Sequence, residues 1–230
     1  HLGAISNTRH SHWESLQQLN IDFTTNLLYK CSKFRIPVIN GSSASVYGNT
    51  DEQCVEGITK EHPLNLYAIT KKNIDDFILH EDLQNSIASL RFFNVFSMYK
   101  TSTKTEEHKY FEDQCSPHYR WSREVLEDGH RHIKLFEGSD EIYRDFIFID
   151  DVINYIKKFA RKIVHTPTRD IFNIGTGKPK SFTSVVSTVS NYVGEDITIR
   201  TIPFPEDLKD IYQYYTCADM SKTELFLEST

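Results

Sequence analysis

Ile36-Pro37-Val38-Ile39-Asn40 runs directly into Gly41-Ser42-Ser43-Ala44-Ser45, an apolar stretch that empties into a polar, glycine-bearing one. The apolar part is too short for a helix and does not alternate with polar residues. That pattern describes a strand buried on both faces, followed by a polar loop, and such strands belong to parallel sheets. Upstream, Leu16, Leu19, Phe23, Leu27, Leu28 and Cys31 fall three or four apart and predict a helix over 14–34. Downstream, Leu66, Ile69, Ile74, Phe77, Ile78 and Leu83 predict a helix over 65–83, and 87–93 reads as the next strand. Helix, strand, helix, strand is the signature of βαβ units. The expected fold class is therefore α/β, a doubly wound parallel sheet whose polar strand ends are the natural place for a site.

Beyond Asn94 the pattern changes. Residues 97–107 are polar and charged, as in a lid or inserted loop, and a helix with Trp121, Val125 and Leu126 begins near Ser116. Strands are expected at 133–136, 145–149, 171–174 and 197–202, with helices at 150–164 and 181–193. This shorter, mixed order predicts a smaller α/β lobe. The division expected is 1–95 for the sheet domain and 96–230 mainly for the second lobe, with some of its segments returning to the first.

The chain has 230 residues, with 26 Lys and Arg against 32 Asp and Glu, for a formal charge of −6. That balance argues against nucleic acid or an anionic membrane as partner. With 39 % hydrophobic and 13 % aromatic residues there is enough apolar side chain for a packed core. No membrane-length apolar run and no basic-then-apolar leader are visible, so a soluble cytoplasmic protein is expected. Cys31, Cys54, Cys115 and Cys217 are irregularly spaced, which fits reduced thiols. Cys115, His118, His130 and His132 can be drawn as a metal set, but a single Cys and an irregular gap argue against it, and no metal is expected. His1-Leu2-Gly3-Ala4 reads as the end of a buried strand, so the chain looks like a piece that begins inside a domain.

Tyr67 and Lys71 stand four apart on the predicted helix, on one face. A cation beside a phenol stabilises phenolate, so Tyr67 is expected below its ordinary pKa and able to exchange a proton with a hydroxyl. By itself the spacing is weak, since such pairs arise by chance and Lys71-Lys72 also suits a solvated face. Ser43, at the predicted strand end, is placed to donate to the same substrate oxygen.

These residues, with Pro63-Leu64-Asn65 and Leu90-Arg91-Phe92-Phe93-Asn94-Val95, resemble the extended short-chain dehydrogenase/reductase superfamily of nucleotide-sugar epimerases and dehydratases. Leu135-Phe136-Glu137-Gly138-Ser139, Arg144-Asp145-Phe146 with Asp150-Asp151-Val152, Phe172-Asn173-Ile174-Gly175-Thr176-Gly177 and Ile202-Pro203-Phe204-Pro205 before Tyr212-Gln213 narrow the likeness. Together they are similar to the ADP-L-glycero-D-manno-heptose 6-epimerase family along nearly the whole chain. The resemblance implies a Rossmann-like domain, truncated at its N-terminus, and a cofactor, NADP or alternatively NAD. Tyr67 would be the acid/base, Lys71 would hold the nicotinamide ribose and Ser43 would orient the reacting hydroxyl. Asn20 would be the structural Asn of the catalytic tetrad, with Gly3, Ala4, Asn20 and Val95 along the cofactor. Asn94, His118, Phe136, Glu137, Gly138, Ser139, Arg144 and Tyr212 would contact an ADP-heptose. For Arg144 the physical fit is a planar guanidinium on a diphosphate, against the ordinary alternative of a surface ion pair.

The implied reaction inverts C6 of the heptose through transient oxidation, within lipopolysaccharide-core precursor synthesis. A second proton-handling group is then needed, and Lys109 in His108-Lys109 is the candidate, although Tyr110 stands where the family has Gly. The family's Gly-rich phosphate turn has no counterpart among the nine glycines, so the chain as written is expected to be an incomplete, inactive fragment. A noncatalytic relative, and a nucleotide-sugar 4-epimerase or dehydratase, stay open as alternatives. A homo-oligomer is a further implication of the resemblance.

Overall fold

The structure is a computed structural model and describes residues 1–8, 10, 12–100 and 115–229. Its centre is a parallel sheet of β1 (Val38–Ser43), β2 (Ile87–Phe92) and β7 (Arg169–Ile174), in that order. The registers pair Val38 with Ile87 and Ile87 with Arg169. At the free side of β1 the chain's first residue continues the ladder: the His1 amino group donates to Ile39 O at 2.7 Å, and Gly41 N donates to His1 O at 2.9 Å.

Helices cover both faces, as a parallel sheet requires. On one face lie α1 (Trp13–Leu16), a π-helical segment (Gln17–Asp22), α2 (Phe23–Lys33) and α3 (Leu66–His80). Their contact layer joins Leu28, Ile74 and Ile78 to Val38 and Ile87 of the strands. On the other face, α5 (Ile149–His165) sets Val152, Phe159 and Ile163 against Ala88, Leu90, Phe172 and Ile174, closed at one side by Phe226 of α7 (Ser221–Glu228). At about 1.5–3 kcal/mol for each fully buried aliphatic or aromatic side chain, these layers dominate the stability of the sheet.

The second lobe gathers α4 (Pro117–Leu126), α6 (Phe182–Val193) and the parallel pair β4 (His132–Phe136) and β9 (Thr198–Ile202) around Trp121, Ile133, Leu135, Val185, Val186 and Val189. Ser116 and Ser181 cap the two helices, accepting from Tyr119 N and Ser184 N. The lobe is joined to the sheet by β3 (Asn94–Phe96) pairing with β6 (Phe146–Phe148), while β5 (Tyr143–Arg144) pairs with β8 (Lys180–Ser181). Among the described residues no helix is long and apolar enough to cross a membrane.

Three elements depart from the sequence pattern. The first strand does not stop at Asn40 but runs through Gly41, Ser42 and Ser43, because its polar side chains find partners inside: Asn40 Nδ2 donates to Ser89 Oγ at 3.0 Å and Ser42 Oγ to Asp75 Oδ2 at 2.8 Å. The helix expected over 14–34 is interrupted by its π-helical turn, which aims buried Asn20 inward. The strand expected over 145–149 breaks at Asp145, whose fully buried carboxylate has other work. Oδ1 accepts from Thr176 N and Thr176 Oγ1 at 2.8 and 2.6 Å, and Oδ2 from Gly177 N and Ala218 N at 2.8 and 2.9 Å.

A side chain at Gly175 would place its Cβ 2.6 Å from Ala218 Cβ and 2.7 Å from Asp145 Oδ2. Gly175→Ala is accordingly expected to cost about 1–3 kcal/mol by overpacking, read as a lower urea midpoint. Gly3→Ala, which meets only the His1 ring at 3.7 Å, should change stability by less than about 0.5 kcal/mol. His118 is buried, stacked on Phe96 at 4.0 Å and edge-on to Phe146 at 4.8 Å, and burial lowers its pKa to about 4. The unfolded chain therefore takes up a proton there between pH 6.5 and 4 that the folded chain refuses, so stability is lost as the pH is lowered through that window. His118→Phe should flatten that loss, by up to about 1.4 kcal/mol per pH unit in urea unfolding at pH 5 against pH 7.

Candidate active site

Asn65 begins α3: its Oδ1 accepts from Ala68 N at 2.9 Å, which starts the helix at Leu66 and puts Tyr67 in the first turn with Lys71 one turn on. Ser43 is the last residue of β1, its Oγ accepting from Ser45 N at 3.2 Å across the turn that follows. The structure brings Ser43 and Tyr67 within hydrogen-bonding reach and sets the Lys71 ammonium 5.7 Å from the Tyr67 ring centre.

The electrostatics correct the expectation from sequence. Tyr67 is held above its ordinary pKa, because burial outweighs the hydrogen bond with Ser43 that pulls it down. Lys71 does not lower it here: its Nζ donates to Gly41 O at 2.6 Å, and burial, partly opposed by Asp75, brings Lys71 itself down to about 8. Helical spacing places the two groups on one face but does not say what the ammonium will bond.

Asn20 serves as a bracket. Its Oδ1 accepts from Ile5 N at 2.8 Å, while its Nδ2 donates to Ile5 O at 3.0 Å and to Thr70 Oγ1 at 3.1 Å. Thr70 Oγ1 in turn donates to Tyr67 O at 2.7 Å, so Asn20 fixes the segment after Gly3 and Ala4 against the helix of Tyr67 and Lys71. Both of its amide protons are committed within the protein. Val95 is half-buried beside the sheet core, and Asn94, next to it, is exposed with its N–H on Asp145 O at 2.9 Å.

From these strand ends a cleft of about 570 Å³ opens toward the second lobe. Of the residues singled out from sequence, it gathers Asn94, Phe136, Ser139, Arg144 and Tyr212. Arg144 is only 6 % exposed, with its guanidinium carbon 5.1 Å from the Tyr212 ring centre and 6.0 Å from that of Phe182. Its Nη1 donates to Tyr143 O at 3.1 Å, and no carboxylate pairs with it among the described residues. Burial lowers its pKa, with Tyr212 opposing. The surface ion pair weighed for Arg144 from sequence is therefore not what forms.

Other predicted residues fall elsewhere. Glu137 and Gly138 sit exposed in the turn after β4, Gly138 at φ +77°, while Phe136 and Ser139 on either side line the cleft. His118 is packed behind β3 among aromatic rings and not on the cleft lining. Lys109 and His108 lie outside the described residues. Among the described residues no group of three His, Cys, Asp or Glu side chains is placed to hold a metal.

Sequence reasoning missed Ser45, Asn65, Arg120 and Lys134, which also line the cleft. Two signals were available: Lys134 is the polar position between Ile133 and Leu135 of an alternating strand, and Arg120 follows the Ser116 cap by one turn. The pair Asp75 and Arg91, bonded at 2.8 Å and both out of solvent, gave no such signal, since a charge in a helix or strand reads as surface.

Residues 1–175 match the family described as the NAD dependent epimerase/dehydratase family. The chain is 34 % identical over 227 residues to the ADP-L-glycero-D-manno-heptose-6-epimerase of Brachyspira hyodysenteriae, an alignment covering 96 % of this chain and 67 % of that protein. The structure resembles that of ADP-L-glycero-D-manno-heptose-6-epimerase from Helicobacter pylori at a TM-score of 0.81 and 29 % identity, covering 100 % of this chain and 66 % of the other. MoeE5 in complex with UDP-glucuronic acid and NAD shares the fold at a TM-score of 0.74 and 22 % identity, covering 100 % of this chain and 72 % of that one. The chain thus spans about two-thirds of the length of the relatives it matches. Helices on both faces of a parallel sheet, polar groups at its carboxyl ends and these likenesses converge: the chain belongs to the NAD dependent epimerase/dehydratase family.

Proposed function

We propose that this chain carries the catalytic helix and the sugar-nucleotide cleft of an ADP-D-glycero-D-manno-heptose 6-epimerase that works with NADP. The observation that carries the reading is Arg144, buried and with no carboxylate partner among the described residues, on a cleft also lined by Ser45 and Asn65, each two residues along the chain from Ser43 and Tyr67. A guanidinium so placed has lost its hydration without gaining an internal anion, a cost that a bound diphosphate offsets. The likeness to the heptose epimerases supports the particular sugar.

The residues present suit a nicotinamide dinucleotide. The Lys71 ammonium has one acceptor, Gly41 O, and its other two protons have none among the described residues. The buried Ser45 Oγ, on the cleft lining, also has no hydrogen-bond partner among the described residues. Lys71 would hold the ribose, with Gly3, Ala4 and Val95 beside the rings and Asn20 fixing the backbone against them. When bound, the dinucleotide supplies the acceptance and return of hydride at the sugar carbon.

Ser43 holds the C6 hydroxyl of the heptose by hydrogen bonding, and Tyr67 takes its proton as the carbon is oxidised to a ketone. A charged Lys71 that leaves Gly41 O for the side of the phenol provides the positive potential that burial denies Tyr67. Rotation about C5–C6 then presents the opposite face of the carbonyl, and the second proton is assigned to Lys109. Phe136, Ser139, Arg144 and Tyr212 hold the ADP part, while Asn94 and, from the turn, Glu137 and Gly138 border the sugar; His118 supports that wall from behind. A homo-oligomeric, cytoplasmic enzyme acting in the supply of lipopolysaccharide-core precursors completes the reading, the oligomer being checked by sedimentation.

The test is turnover of ADP-D-glycero-D-manno-heptose by the intact gene product, with UDP-hexoses as competing substrates. Tyr67→Phe should lower kcat by about 10²–10⁴-fold with nucleotide binding retained; unchanged turnover would refute the acid/base role. Because Lys71 loses its charge with a pKa of about 8, kcat should fall above roughly that pH, and Lys71→Arg should carry the falling limb to higher pH in whatever activity it keeps.

A further inference from the structure

The ammonium of Lys71 stands at the buried end of a row of alternating charge. Asp75 follows it by one turn on the same face of α3, and the two side chains grip consecutive residues of β1. Lys71 Nζ donates to Gly41 O at 2.6 Å, and Asp75 Oδ2 accepts from Ser42 Oγ at 2.8 Å, with Ser43 next along the strand. Arg91 Nε donates to the same Oδ2 at 2.8 Å, and its Nη2 lies 2.5 Å from Glu61 Oε1. Lys72 Nζ ends the row between Glu61 Oε2 at 3.0 Å and Asp76 Oδ1 at 2.9 Å. Three cations, Lys71, Arg91 and Lys72, thus alternate with three carboxylates, Asp75, Glu61 and Asp76, and the row is neutral only while Lys71 keeps its proton. The contacts of Asp75 suit an anion. Asn40 Nδ2 donates to Ser89 Oγ, which leaves the Ser89 proton to point at Asp75 Oδ1 at 2.7 Å, so both carboxylate oxygens only accept. Burial holds the pKa of Asp75 above its ordinary value, opposed first by Arg91 and then by Ser89 and Ser42. On the other side of Lys71 the like charge is the His1 amino group, bonded to Ile39 O at 2.7 Å and lowered by its own burial and, less, by Lys71.

We propose that Asp75 is a positioning residue for the reaction, acting through Lys71: its carboxylate supplies the counter-charge that keeps the ammonium charged beside Tyr67, and Arg91 keeps that carboxylate ionised. Asp75 has no exposure to solvent and so reaches no substrate itself. Burial drives Lys71 toward the neutral amine, and Asp75 is the charge that opposes it. Tyr67, raised by its own burial, draws on what the ammonium retains. The inference rests on the reading of Tyr67 and Lys71 given above and assigns to a buried carboxylate the upper pH at which that pair works.

NMR titration of the lysine ε-methylenes in the full 230-residue chain reads that charge without any turnover, the Lys71 signal being assigned by its loss in Lys71→Arg. In the wild type Lys71 should titrate at about 8, in Asp75→Asn at least about one pH unit lower, and in Asp75→Glu within about half a pH unit of the wild type. Ser89→Ala keeps the charge and loses a hydrogen bond, so its urea midpoint should fall while the Lys71 titration stays in place. If the unpaired Arg91 unfolds Asp75→Asn, the double variant Asp75→Asn/Arg91→Gln leaves no uncompensated buried charge and should lower Lys71 as well. In the intact gene product the falling limb of kcat should move to lower pH by the same amount as the Lys71 titration. A Lys71 titration unmoved by loss of Asp75, or moved equally by Ser89→Ala, overturns the role. A titration that depends on Asp75 in a gene product that turns over no ADP-heptose leaves the counter-charge standing and overturns the epimerase reading instead.

Discussion

The carboxylate of Asp75 has no exposure to solvent, and the position of α3, the helix of Tyr67 and Lys71, follows from how it is satisfied. It accepts from Ser42 Oγ on β1 at 2.8 Å and, on β2, from Ser89 Oγ at 2.7 Å and Arg91 Nε at 2.8 Å. An isolated charge in such a place would be prohibitive, and removing one partner of a buried ion pair costs about 3–5 kcal/mol, so the rotation and height of α3 over the two strands are set to within a hydrogen bond. Lys71 lies one turn before Asp75 and Tyr67 two turns before, so both inherit that phase. Arg91 continues the network outward, to Glu61 Oε1 at 2.5 Å and under the Tyr47 ring at 4.8 Å. Tyr47 Oη then donates to Asn173 Oδ1 at 2.8 Å, carrying the same polar spine across to β7.

Asp145 performs the corresponding task where sheet and second lobe meet. Its four donors come from the Thr176-Gly177 loop after β7 and from Ala218, its backbone carbonyl receives Asn94 N, and its own N–H donates to Thr216 Oγ1 at 3.1 Å. Asn94 and Arg144 flank the cleft on either side of this junction. The separation between Ser43 and the cations that line the cleft is thus governed by one buried carboxylate, and the close approach at Gly175 is part of the same arrangement.

Much of this was legible beforehand. The helix of Tyr67 and Lys71 and the sheet with its crossovers announce themselves through periodicity, since burying an apolar stripe or a two-faced strand leaves a pattern in the residues themselves. Phe136, Ser139, Arg144 and Tyr212, distant in the chain, were grouped by likeness to a family and are gathered by the fold around one cleft. What failed was local electrostatics. Tyr67 rises where an adjacent lysine was expected to lower it, because the balance between desolvation and charge depends on the atom that Lys71 Nζ bonds, and that atom is a carbonyl of another strand. His118, polar in sequence, is a ring in an aromatic stack.

The sequence alone determined which segments become helix and strand, that the strands are parallel and covered on both faces, and that a phenol and an amine share one helical face. Those follow from period, length and composition, which are properties of neighbours along the chain. Only the tertiary structure decided that Ser42 belongs to a strand rather than a loop, that Arg144 is buried with no counter-charge among the described residues, and that Arg120 and Lys134 line the same cleft. Each of those depends on how much water remains at a point where remote segments meet, and no local pattern of residues carries that quantity.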